Sequence, residues 1–140
     1  MPDPLDTSGR TLHAFLDQVI DRAPDVSSVG EAERITRGVL STLAKAVSKG
    51  ELDQLAVGLP RELRDEFDNA GHPASIDRLG FLDRVGGYSS SVEGDVVEQQ
   101  ARAVLSTVAG WAPLGEVGDT IAQLPSDLRE LFVRPTRTSG

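Results

Sequence analysis

The chain of 140 residues carries 22 acidic and 14 basic side chains, a formal charge of −8, which disfavours nucleic acid and anionic membranes, since both are bound chiefly through Lys and Arg. Hydrophobic residues make up 39% but aromatic ones only 4%, so the core is Leu, Val, Ile and Ala, which suits close helix packing. At this length folding buries roughly 68–70% of the unfolded surface without a staple, and the lack of cysteine excludes disulfides, thiolate metal sites and Cys nucleophiles.

In chain order, residues 1–10 hold two prolines, a glycine and no apolar periodicity, and are predicted to be a flexible lead. Met1-Pro2-Asp3-Pro4-Leu5-Asp6 is acidic and lacks the basic and apolar regions of a signal peptide. No run approaches the roughly 20 apolar residues that cross a bilayer. A cytoplasmic location is expected. The first helix is predicted from Thr11 to Ala23, with Leu12, Phe15, Leu16, Val19 and Ala23 on one face and Pro24 as its stop. Ser28-Val29-Gly30-Glu31 fits a capping box for the second helix. Its stripe of Ala32, Ile35, Thr36, Val39, Leu40, Leu43 and Val47 is predicted to run to Lys49-Gly50, where basic residues and a Gly suit a C-terminus. A short helix from Glu51 to Gly58 follows, then another opened by Leu59-Pro60, with Pro pre-setting φ at the first helical position.

Residues 68–75 read as a linker. The second unit, 76–134, begins near Ile76, and 135–140 is a predicted flexible tail. Phe15-Leu16-Asp17-x-Val19 returns as Phe81-Leu82-Asp83-x-Val85 at a shift of 66. Gly86-Gly87 then stands where the first unit has Ile20-Asp21, which predicts a shorter or frayed helix, because interior glycines cost about 1 kcal/mol each relative to Ala. The triple Ser89-Ser90-Ser91 is expected to be loop and cap before a long helix through Val97, Ala101, Val104, Leu105 and Val108 that Pro113 ends. Gly115-Glu116 starts the next helix and Pro125 the last.

Shifted by 65, the chain repeats itself. Glu33, Arg37, Val39, Leu40, Ser41, Thr42 and Ala44 return as Glu98, Arg102, Val104, Leu105, Ser106, Thr107 and Ala109. Gly50-Glu51 returns as Gly115-Glu116. Leu59, Pro60, Leu63, Arg64 and Phe67 return as Leu124, Pro125, Leu128, Arg129 and Phe132. The predicted fold is all-α: two tandem four-helix repeats, long-long-short-short, over 11–67 and 76–134, packed as one pseudo-symmetric body.

The doubled Leu-Pro-x-x-Leu-Arg-x-x-Phe end, preceded by Gly-Glu and a short helix, resembles a bacterial family known as domain of unknown function 2267. The resemblance covers about residues 11–134. It implies a small helical protein carrying the unit in tandem, often from actinobacteria, and the use of twelve Arg against two Lys agrees. Departures are Gly86 and Gly87, and Trp111 where the first copy has Ala46. The resemblance implies no activity, cofactor or partner.

Chemistry-bearing constellations are sparse. His13 and Asp17, at i, i+4, have metal-ligand spacing but no obvious third ligand, and read better as a solvated pair. His72 lies in the linker beside Pro73 without a patterned partner. The serine run lacks a Gly-x-Ser-x-Gly elbow. No metal and no cofactor is expected, nor an enzyme. Leu, Leu and Phe of the repeated motif suit docking of a terminal helix, whereas Arg64 and Arg129 have no such explanation. Glu33, Arg37 and Ser41, with Glu98, Arg102 and Ser106, turn progressively away from the apolar stripe, yet are identical in both copies. An i, i+4 Glu–Arg pair contributes only about 0.2–0.5 kcal/mol, too little to explain that identity. Burial within the fold is the favoured reading, a partner surface the alternative. The expected function is a non-enzymatic module for protein–protein interaction or self-association, with a small-molecule or lipid carrier, its apolar cavity between the repeats, as runner-up.

Overall fold

The computed structural model describes residues 12–67, 76–113, 115–122, 124 and 126–132. The lead 1–10, the linker 68–75 with His72, Pro125 and the tail 135–140 lie outside the described residues. Every element among those described is helical: α1 (Leu12–Arg22), α2 (Val29–Leu43), α3 (Lys49–Ala56), a 3-10 helix (Arg61–Phe67), α4 (Arg78–Gly86), α5 (Gly94–Trp111), α6 (Glu116–Ala122) and α7 (Ser126–Phe132).

Periodicity and caps set most of these boundaries. α1 buries Phe15, Leu16 and Val19, and the chain turns after Pro24 through Asp25 in a left-handed conformation (φ 61°), which a short polar side chain tolerates. Ser28 caps α2 by accepting from the Glu31 amide at 3.1 Å. Glu31 reaches back one residue further than a capping box requires, accepting from the Ser27 amide at 3.3 Å. α4 starts at Asp77, whose carboxylate accepts from the Gly80 amide at 2.7 Å. It ends at Gly86, nine residues against eleven in α1.

Two expectations are corrected. α2 stops at Leu43, and Lys49-Gly50 opens α3 behind the N-cap Ser48 instead of closing α2. Ala44, Ala46 and Val47 are all buried in the intervening turn, and at about 100° per residue a continuing helix would spread them over too wide an arc to face one core. The segment after Leu59-Pro60 is a seven-residue 3-10 helix, not an α-helix. Such a long run is uncommon, and Arg37 of α2 donates to one of its carbonyls, that of Glu62.

α2 and α5 are the central pair. They pack on each other; α2 also packs on α1, α4 and the 3-10 helix, and α5 on α1, α4 and α7. α3 lies against α6 and the 3-10 helix, and α6 against α7. Surrounded in this way, α2 has no exposed residue from Ile35 to Leu43, nor α5 from Gln100 to Val108. Burying each Leu, Val, Ile or Phe contributes about 1.5–3 kcal/mol, so the enclosed central pair dominates the stabilisation. Glycine marks one close crossing: a Cβ on Gly58 would stand 1.9 Å from the Trp111 carbonyl oxygen. Trp111, the departure from Ala46, meets Phe15 edge-on at 5.2 Å and donates to Gln18 at 3.1 Å, joining the end of α5 to α1.

Candidate functional site

The polar stripe of α2 runs against the 3-10 helix. Arg37 Nε donates to Glu33 at 2.9 Å, Nη1 to Glu66 at 2.8 Å and Asp65 at 3.3 Å, and Nη2 to the Glu62 carbonyl at 3.1 Å. One guanidinium thus bonds a carboxylate of its own helix and two carboxylates and a backbone carbonyl of the 3-10 helix. The bond to Glu66, and after it that to Glu33, raises the Arg37 pKa above its ordinary value, against the opposing effect of burial.

The α5 stripe does the same against α7. Arg102 Nε and Nη2 donate to one Glu98 oxygen at 3.2 and 3.1 Å, and Nη1 to the Glu130 carbonyl at 2.6 Å. A second guanidinium joins here. Arg78 of α4 donates to Glu98 and, at 2.8 Å, to the Glu130 carboxylate. The Arg78 bond holds the Glu98 carboxyl below its ordinary pKa, Arg102 adds to the effect, and burial opposes it. Side-chain exposure is 28% at Arg37 and 17% at Arg102, between a free surface pair and an enclosed one. Spacing alone does not flag Arg78; the usable signal is its place in the repeat, where the first copy has the apolar Leu12.

Ser41 Oγ donates to the Gly38 carbonyl at 3.2 Å, and Ser106 accepts from Arg22 at 3.5 Å, so both half-buried hydroxyls face protein. The same Arg22 nitrogen donates to Thr107 at 2.9 Å, fastening α1 to α5. Thr42 and Thr107 each bond the carbonyl four residues back, at 2.7 and 2.8 Å.

The repeated arginines of the Leu-Pro motif acquire a definite geometry. Arg64 Nε donates to the Leu59 carbonyl at 3.1 Å and Nη2 to the Val57 carbonyl at 3.3 Å. Arg129 Nε donates to the Leu124 carbonyl at 3.0 Å. The Leu59 and Leu124 carbonyls belong to residues outside the helices that follow, so they need a donor from elsewhere, and the arginine five residues on supplies one. Leu59, Pro60, Leu63, Phe67, Leu124, Leu128 and Phe132 are all buried.

Gln100 was not singled out in the sequence. Fully buried on α5, it donates to the Pro24 carbonyl at 2.9 Å and accepts from Ser89 at 2.6 Å, tying the α1–α2 and α4–α5 loops together. Its repeat counterpart is Ile35, and a polar residue at a core position of a repeat is the available signal. The serine run is loop: Ser89 accepts from the Ser91 amide, Ser91 from the Glu93 amide, and Ser90 donates to Glu31. His13 and Asp17 lie 3.5 Å apart on an open face of α1, and no third His or acidic side chain among the described residues stands with them as a metal cluster.

A groove of about 690 Å³ opens between α4 and the start of α5. Leu82 and Val97 form its floor, Leu79 and Val92 its lips, and Asp83 and Asp95 stand along it. Gly86 and Gly94 leave it open, since a Cβ on either would meet nothing within 4 Å.

Helices alone, crossed by arginines that bond internal carboxylates and carbonyls, define an all-α protein whose duplicated polar residues face its own elements. No helix among the described residues is long and apolar enough to cross a membrane. The chain belongs to the family of uncharacterized conserved proteins DUF2267, whose model matches residues 12–131. No curated protein matches it.

Proposed function

We propose that the chain is a non-enzymatic helical module that binds a protein partner, built as two tandem four-helix units packed as one pseudo-symmetric body. The packing supports the second part of this reading. α1 on α2 corresponds to α4 on α5, the 3-10 helix on α2 to α7 on α5, and α1 on α5 to α2 on α4. The α2–α5 and α3–α6 contacts each pair an element with its own counterpart, as a twofold axis requires.

The observation that carries the functional reading is a difference between the copies. Leu16 of α1 is buried beside Ile20 one turn on; its counterpart Leu82, followed by Gly86, is left half-buried in the groove. Leu79 is 79% and Val92 99% exposed at its lips. Apolar side chains gathered around an open groove are how interaction sites commonly look. The groove lies within the second unit, whereas a carrier was expected to enclose a cavity between the units. An acidic body without a basic cluster suits a cytoplasmic protein partner better than nucleic acid or an anionic membrane.

Native mass spectrometry of the full chain purified from its source tests the reading. A defined heteromeric protein stoichiometry is expected; a monomer holding a small molecule would replace the module with a carrier.

A further inference from the structure

We infer that the α4–α5 groove receives a short amphipathic basic helix, its apolar side chains on Leu82 and Val97 and its cations beside Asp83 and Asp95. The inference rests on the protein-binding reading above and specifies its site and the chemistry of its partner.

Length comes first. α4 has nine residues, or about 13 Å at 1.5 Å per residue, which matches a partner helix of two to three turns. Such a helix presents two or three anchors at i, i+3 or i+4 and i+7. A volume of about 690 Å³ accommodates that number of aliphatic side chains.

Charge then selects the sign. Asp83 and Asp95 have no ion-pair or hydrogen-bonding partner among the described residues, whereas Glu98 at the groove's inner end is already held by Arg78 and Arg102. Among the described residues no basic side chain lines the groove. Two free carboxylates flanking an apolar floor attract Lys or Arg and repel acidic segments. The same argument disfavours a second copy, because the chain carries a charge of −8.

The two units differ at the residues that open the groove. Gly86 and Gly94 take the places of Ile20 and Val29. Restoring the side chain found in the first copy should therefore close the groove without disturbing the fold, since the space beside Gly86 is empty.

The test uses the 140-residue chain and a phage-displayed random dodecamer library. Enriched peptides should combine aliphatic residues at helical spacing with Lys or Arg. Their affinity should fall with added salt, at least tenfold in Gly86→Ile, and at least tenfold in the double variant Asp83→Asn/Asp95→Asn. Both proteins should melt no lower than wild type. Enrichment of acidic or uncharged peptides that still lose affinity in Gly86→Ile would overturn the basic partner while leaving a protein-binding groove. Binders indifferent to Gly86→Ile would overturn the groove. No enrichment at all, with a small molecule released from the wild-type protein, would overturn this inference together with the protein-binding reading.

Discussion

Gly38 of α2 lies directly beneath Tyr88, which follows α4. A Cβ built on Gly38 would stand 2.4 Å from two ring carbons and 2.8 Å from the Tyr88 Cβ. The Cβ clash matters most, because a ring can rotate but the root of a side chain moves only with its backbone. The glycine therefore sets how closely the α4 region approaches α2. The counterpart of Gly38 is Ala103, and the counterpart of Tyr88 is Arg22, which bonds Thr107 one turn on from Ala103.

Gly38→Ala is expected to destabilise by about 1–3 kcal/mol through overpacking, although Ala in a helix is ordinarily favoured over Gly by about 1 kcal/mol. Gly110→Ala, with open space around it, should be neutral or stabilising. Urea midpoints of both variants check this. Replacing Tyr88 with Gly, which removes the Cβ as well as the ring, in the Gly38→Ala background should remove the overpacking penalty, a coupling that a double-mutant cycle reads directly.

Arg64→Ala and Arg129→Ala should each cost about 1–2 kcal/mol, because each leaves the buried Leu of its own motif with a carbonyl lacking its donor. Lysine should restore little: its ammonium sits at the end of a flexible stem, whereas the bond to the carbonyl comes from Nε, part-way along the arginine. Full recovery in Arg64→Lys would show that the motif needs only a cation.

The Leu-Pro motif also shows how far the sequence reaches. Its apolar members were readable as docking residues because Leu, Leu and Phe recur at helical spacing. Its arginines were not, since a bond to a carbonyl five residues back has no signature in hydrophobic pattern. The same holds for the end of α2. The apolar run through Val47 continues the helical period, and only tertiary burial of Ala44 and Ala46 turns the chain there. Lys49-Gly50 suits a C-terminus and yet begins α3 behind Ser48, because local chemistry is compatible with both. The groove was half visible: Gly86-Gly87 announced a short helix, but the cavity depends on α4 and α5 meeting across those glycines.

Stability should carry a pH dependence from Glu98. Folded, its carboxyl titrates below the ordinary value of 4.5, chiefly through Arg78. Protons are then bound more readily by the unfolded chain, so the contribution is complete above the unfolded value and is lost as pH falls through the folded one. The stability gap between wild type and Glu98→Gln should be widest near pH 7 and close progressively below about pH 4.5. A gap independent of pH would mean that the carboxylate's charge is not what holds Arg78 and Arg102.

Urea unfolding of Arg37→Ala and Arg102→Ala is the most direct measurement of the claim that the duplicated stripe holds the body together. Arg37 joins α2 to the 3-10 helix through two carboxylates and a backbone carbonyl, and Arg102, held by Glu98 of its own helix, joins α5 to α7 through the Glu130 carbonyl. At their intermediate exposure, each loss should cost about 1–3 kcal/mol, above a surface ion pair and at or below a fully enclosed one. Both midpoints should fall, with one cooperative transition of unchanged slope, because the two sites stiffen a common core. Two midpoints within about 0.5 kcal/mol of wild type would contradict this account and leave Glu33, Arg37, Ser41 and their counterparts as a surface open to a partner.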